Sequence, residues 1–173
     1  MKLSRLLALV FAAVAVAAPL RLWVFEPFFV ASASMEPALR LGSRGLSDKI
    51  TLRLRPIRRG DIVLFAPPTG EDTSVGKRVI ALPGETVEIR AKAVFIDGRK
   101  LDEPYAVHRR AGVRLLNDDL GPFAVPDGTV FVLGDNRDES EDATVWTSAG
   151  GKPIRFIAVG SITGLVRTWP FGR

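Results

Sequence analysis

The chain contains no cysteine, which excludes disulfides, thiol catalysis and thiolate metal sites. It contains one histidine, His108, so any Ser-His-Asp triad would have to be built on that residue. His108 stands in Tyr105-Ala106-Val107-His108-Arg109-Arg110, among turn formers and charges, and reads as a solvated loop side chain. Outside the N-terminal segment no stretch sustains an apolar period of 3.6, so long amphipathic helices are excluded. Repeats are absent, and so is low-complexity sequence beyond an N-terminal Ala/Val/Leu bias. Acidic charge is in deficit, with 24 Lys and Arg against 19 Asp and Glu, a net charge of +5. The basic residues are dispersed rather than massed. That favours a solvated surface, with attraction to anionic lipid as the next reading, and no nucleic acid is expected as a partner.

What is present fits one domain and an anchor: 173 residues, 47% of them hydrophobic, with the apolar excess at the start. Lys2 and Arg5 precede an unbroken apolar run from Leu6 to Leu20. At ~1.5 Å per residue that run covers roughly 22 Å, short of the ~30 Å hydrocarbon core. Extension through Leu22-Trp23-Val24 to Phe25 brings it to about 30 Å, with Arg21 able to snorkel and Trp23 at the interface. A cleaved secretory signal is the rival reading, with Ala15-Val16-Ala17-Ala18 as its small-x-small site. Pro19 just past that bond and the continuing apolar sequence argue for an uncleaved anchor. Residues 1–27 are therefore expected to form a cytoplasmic stub and a single transmembrane helix. Residues 28–173 are expected to form a domain outside the cytoplasmic membrane.

From Phe28 onward the pattern is that of short strands. Ile50 to Leu54 alternates at period two, and Asp61 to Phe65 is a short apolar run between turn signals. Val75 to Leu82 ends at Pro83-Gly84. Thr86 to Arg90 and Ala93 to Ile96 bracket a hairpin, with Asp97-Gly98 turning into Arg99-Lys100-Leu101. Residues 102–122 read as charged loop, Thr129 to Leu133 as a strand, and Ile157 to Arg167 as a last strand broken by glycines. The expected fold is mainly β, a coiled antiparallel sheet, partly barrel-like, on one N-terminal transmembrane helix. Arg59-Gly60-Asp61 spells an adhesion tripeptide and reads better as a turn entering a strand.

Two stretches carry chemistry. Ser32-Ala33-Ser34-Met35-Glu36-Pro37-Ala38-Leu39 places a serine pair just beyond the anchor. Gly76-Lys77-Arg78-Val79-Ile80-Ala81 places Lys77 on a strand face it shares with Val75, Val79 and Ala81. A serine hydroxyl needs a proton acceptor, and a lysine is one only when neutral. Working near pH 7–8 requires a depression of about 3 units, or ~4 kcal/mol. Burial and the adjacent Arg78 charge both push that way. Two other arrangements remain open for this strand. Lys77 could pair with a carboxylate, or a twist could turn it to water. Ser32 can offer its hydroxyl, and Ser34 its N–H, to a developing oxyanion. Met35 and Pro37 offer surface to substrate or membrane. A third stretch, Gly134-Asp135-Asn136-Arg137-Asp138-Glu139-Ser140-Glu141-Asp142, lacks the spacing of a calcium loop, so no metal is expected. It suits a support, with Ser140 reaching the lysine and Asp135, Asn136 and Asp142 bonding the backbone.

With these segments in this order, the chain resembles the type I signal peptidases. Phe25-Glu26-Pro27-Phe28, Ser32 to Leu39, Arg59 to Val63, Lys77 to Glu85 and Gly134 to Ser140 carry the likeness, which extends to Trp169-Pro170-Phe171. The resemblance implies Ser34 as nucleophile and Lys77 as general base. It implies an oxyanion hole from Ser32 and the Ser34 amide, with Ser140 orienting the lysine. It also implies a cofactor-free peptidase on a membrane helix, acting on pre-proteins after a small-x-small sequence. The sequence departs from the family in a short loop region and at three sites. Ala33 replaces the glycine favoured between the serines. Asp142-Ala143-Thr144 replaces Asp-Ser-Arg, so the arginine that would pair with the aspartate is absent. Thr147 replaces a glycine. These changes also fit a specialised maturation peptidase with few substrates. A non-catalytic peptide-binding β module is the alternative from another class.

Overall fold

Most of the apolar runs become strands. The computed structural model describes residues 3–19, 24–70, 73–110, 112–115 and 117–167. An N-terminal helix, α1, runs Leu3–Pro19. The strands are β1 (Phe25–Phe29), β2 (Arg44–Asp48), β3 (Ile62–Phe65), β4 (Val75–Ala81), β5 (Thr86–Arg90) and β6 (Ala93–Ile96). They continue with β7 (Arg99–Lys100), β8 (Leu120–Ala124), β9 (Thr129–Leu133), β10 (Ile157–Ala158) and β11 (Ile162–Arg167). One helical turn, α2, spans Thr51–Leu54.

The strands form two antiparallel sheets, a seven-stranded one in the order β1-β2-β11-β3-β4-β9-β10 and a four-stranded one in the order β7-β6-β5-β8. Neither order returns to its first strand, so the partly barrel-like closure expected from the sequence is not formed. β3 shows why its segment reads as an unbroken apolar run. Val63 and Phe65 join the main core, while Ile62 and Leu64 join a smaller cluster with Val30, Met35, Leu39 and Val166. Alternate side chains thus bury on opposite faces of one sheet, and both faces are covered. In the main core Trp146 meets Phe65 edge-on, with ring centroids 5.9 Å apart.

The anchor differs from the expectation. Among the described residues no helix is long and apolar enough to cross a membrane. α1 has 17 residues, and Phe25, expected as the far end of a span, begins β1 and pairs with Asp48. The sheet therefore starts three residues before the boundary expected at position 28. Three other segments differ. Ile50 to Leu54 was expected as a strand, but Asp48 Oδ1 accepts the N–H groups of Ile50 and Thr51, both at 2.9 Å. Its Oδ2 takes the Thr51 hydroxyl at 2.6 Å. This carboxylate gathers the chain into α2. β2 and β8 arise from segments without a strand pattern. Arg44–Asp48 is recruited by partners on both edges, and Gly121 and Pro122 lie inside β8.

Candidate active site

The two clusters meet at a cleft of about 500 Å³, lined by Ser32, Ser34, Lys77, Met35, Leu64 and Trp146 among others. Lys77 stands directly across from Val63 on β3, so its side chain issues on the main-core face, as the strand pattern predicted. Gly76 faces the other way, where an added Cβ would lie 3.4 Å from Leu64 Cδ2. The Lys77 side chain is 3% exposed. Its Nζ donates to Ser140 Oγ at 3.0 Å, and it forms no ion pair among the described residues. Both open arrangements are thereby removed: the lysine neither pairs with a carboxylate nor faces water. Burial lowers its pKa from the ordinary 10.5, while the charges of Asp142 and Glu141 pull it back up.

Arg78 does not act as the expected positive neighbour. Alternation sends it to the opposite face, where Nε and Nη2 grip the fully buried Asp135 at 2.7 and 2.5 Å. Its guanidinium also lies 4.1 Å from the centre of the Tyr105 ring. Burial alone therefore disfavours the Lys77 ammonium.

Ser34 is buried, and its hydroxyl lies 3.1 Å from that of Ser32, which is exposed. The segment is fixed from below and from the side. Met35 sinks into the small cluster. Leu39 N–H donates to Met35 C=O at 2.9 Å. Asn136 binds the same segment twice, through N–H to Ser34 C=O at 3.1 Å and through Nδ2 to Ala33 C=O at 3.2 Å. Gly134 permits the approach, because a Cβ there would fall 2.2 Å from Ser140 Oγ and 2.5 Å from Ser34 O. Ser34, Lys77, Ser140 and Asn136 are thus brought together from three separate stretches.

The other expected residues divide. Asp135 serves Arg78 rather than Lys77. Asp142 is buried and accepts from Gly134 N–H at 2.9 Å, Thr144 N–H at 3.0 Å and Thr144 Oγ1 at 2.8 Å. Thr144 thereby takes up the carboxylate that lacks an arginine two residues on. Met35 lines the cleft and is buried, whereas Pro37 is exposed and does not line it. His108 is not the freely solvated side chain expected. It is partly buried, with Nδ1 3.7 Å from Asp138 Oδ1, in a separate small cavity with Lys92 and Arg137. Arg59-Gly60-Asp61 is partly buried, its ends committed to Glu85 and Arg55. Sequence reasoning missed the acid rim of the cleft, Glu139 and Glu141, and missed Arg155, whose Nη1 donates to the carbonyls of Ala143 and Thr144. No local pattern marks Arg155, which reaches the site only through the return of the chain into β10.

The family model for signal peptidase, peptidase S26, matches residues 3–169. The chain belongs to the type I signal peptidases. It is accordingly a serine endopeptidase by family. Its relatives include signal peptidase I of Bacillus caldolyticus, 37% identical over 93% of this chain and 88% of that one. Signal peptidase I S of Bacillus subtilis (strain 168) is 40% identical over 76% of this chain and 72% of its own. The crystal structure of a signal peptidase I from Enterococcus faecalis V583 matches with a TM-score of 0.50 and 32% identity, covering 65% of this chain and 98% of that one.

Proposed function

We propose that this chain is a membrane-anchored signal peptidase that cleaves secreted pre-proteins after a small-x-small, Ala-x-Ala-like site with a Ser–Lys dyad. The observation that carries the reading is Lys77: a buried lysine without a counter-ion among the described residues, on the wall of the cleft that Ser34 shares. A neutral amine there takes the Ser34 proton as Oγ attacks the scissile carbonyl. The Ser32 hydroxyl and the Ser34 N–H receive the oxyanion. As the tetrahedral species collapses, Lys77 passes the proton to the leaving amine and the acyl group remains on Ser34. Lys77 then takes a proton from water as its oxygen attacks the ester, and returns that proton to Ser34 Oγ as the acid leaves. Ser140, bonded to Nζ, holds the amine in line. The mechanism calls on no cofactor.

The anchor is α1. The large apolar side chains of α1 are exposed, from Leu3 through Phe11 to Val16, and the described ones enter neither core cluster. The charges of Lys2 and Arg5 support an orientation with the N-terminus in the cytoplasm and the β domain on the outer face of the cytoplasmic membrane. Phe29, exposed at the cleft, extends the apolar surface toward lipid. Tethering enzyme and signal peptide in one bilayer supplies proximity in place of tight binding.

The test is cleavage of a model pre-protein by the detergent-solubilised protein, followed by sequencing of the new N-terminus. Wild type should cut after a small-x-small site, and Lys77→Met should lose at least ~1,000-fold in rate while keeping its fold. Undiminished turnover by Lys77→Met would reject the dyad.

A further inference from the structure

Ser34 has to point two groups at once, its hydroxyl at the scissile carbonyl and its N–H at the oxyanion that forms there. Both directions follow from the two peptide planes that meet at its Cα. One plane, shared with Met35, carries the Ser34 C=O, which accepts from Asn136 N–H at 3.1 Å. The other, shared with Ala33, carries the Ala33 C=O, which accepts from Asn136 Nδ2 at 3.2 Å and from Glu36 N–H at 3.0 Å. Asn136 thus holds both planes. A trans peptide carries its C=O and N–H on opposite sides, so a fixed Ala33 carbonyl fixes the Ser34 N–H, facing away from Asn136. That N–H donates to no group among the described residues and is left for an oxyanion.

The Asn136 amide is committed to its donors. Nδ2 also donates to Glu139 Oε2, at 3.0 Å. Oδ1 is buried and bonds to nothing among the described residues. Turning the amide over would set that oxygen against the Ala33 carbonyl and the Glu139 carboxylate, two acceptors, and so break both bonds. A buried acceptor is left unsatisfied while both donors are kept. The backbone of this loop is held by other means. Val107 N–H donates to Asp135 C=O at 2.7 Å, Arg137 N–H to Val107 C=O at 3.0 Å, and Arg137 Nε to Gly134 C=O at 3.0 Å. The loop therefore keeps its path without the Asn136 side chain.

We propose that the Asn136 side chain is a positioning residue for the oxyanion hole: by holding the Ala33 carbonyl it aligns the Ser34 N–H before substrate arrives. This rests on the Ser–Lys reading above and adds to it a residue that acts through Ser34. A bond at the carbonyl also polarises the same peptide, which makes its N–H the stronger donor. The contribution is felt when charge collects on the substrate oxygen, and little while substrate merely binds.

The test compares two ligands of the full chain in detergent, at a pH where the cleavage rate is flat. A peptide aldehyde ending in Ala-x-Ala forms a tetrahedral adduct. Ser34 Oγ adds to the carbonyl carbon, the C=O π bond opens onto oxygen, and the hydroxyl proton passes to Lys77. The matching peptide alcohol binds without adding. Asn136→Ala should weaken the aldehyde roughly 10- to 100-fold and leave the alcohol within about twofold. It should lower kcat for a pre-protein by a similar factor with KM little changed. A merely structural side chain would weaken both ligands alike. Equal weakening of both, or of neither, overturns the inference. Should Asn136→Ala not fold, Glu139→Ala decides, because it removes the exposed acceptor that aims the amide. A selective loss of aldehyde binding of roughly threefold or more supports the proposal, and an unchanged aldehyde-to-alcohol ratio overturns it. Lys77→Met separates the two levels. Turnover by that variant rejects the dyad itself, whereas a dead Lys77→Met with an unchanged ratio in Asn136→Ala rejects only the role of Asn136.

Discussion

Lys77 is held in a place that suits a methionine better than an ammonium. Each unit by which burial lowers its pKa costs the folded state about 1.4 kcal/mol at neutral pH. The unfolded chain binds this proton more readily than the folded one, so stability rises as pH climbs from the lowered pKa toward 10.5. Lys77→Met should therefore unfold at higher denaturant concentration than wild type at pH 7, with the gap shrinking toward pH 10. Equal midpoints at pH 7 would mean that the lysine is not strained. Several such residues were legible in the sequence. Lys77 interrupts an apolar strand face, and Ser34 sits in a serine pair before Pro37. Arg78 is next to Lys77 in sequence, yet its charge is not beside the amine. Alternation puts it across the sheet, on Asp135. Arg155 was invisible because its partners are backbone carbonyls, which no sequence pattern displays.

At the scale of elements, strands with period-two burial or continuous apolar character were readable, and those made by their partners were not. β5 and β6 pair Val87 with Ile96 and Ile89 with Val94, as the hairpin pattern requires. β2 has no apolar alternation. It becomes a strand between β1 and β11, and Gly45 is needed there because a Cβ would fall 2.4 Å from Phe28 Cζ. The decisive packing of the site is likewise between elements, where the loop after β9 lies against the Ser32–Leu39 segment. Gly134→Ala should force that contact open. It should cost about 1–3 kcal/mol in stability and reduce cleavage by roughly 100-fold, by displacing Ser140 and Ser34 together. Thermal unfolding and initial rates measure both. A Gly134→Ala protein with wild-type rate would show that the contact does not set the site.

For the molecule as a whole, composition gave the right class for a physical reason. Short apolar runs separated by turn formers cannot build long helices, and here they build two antiparallel sheets. Closure was not legible, because it depends on whether the outer strands find each other, and β1 and β10 do not. The described helix α1 has 17 residues and enters neither core cluster, so the β domain carries the site without it. The cleft lies where the small cluster under Ser34 meets the main core beneath Lys77, and that junction keeps water from the amine. The central claim is thus that the whole fold holds one lysine uncharged beside one serine. Its most direct test is a 13C NMR titration of the Lys77 ε-carbon in the full chain in detergent, assigned by comparison with Lys77→Met. The account predicts a titration well below 10.5, apart from the other lysines. A Lys77 that titrates with them, at its ordinary value, would contradict it.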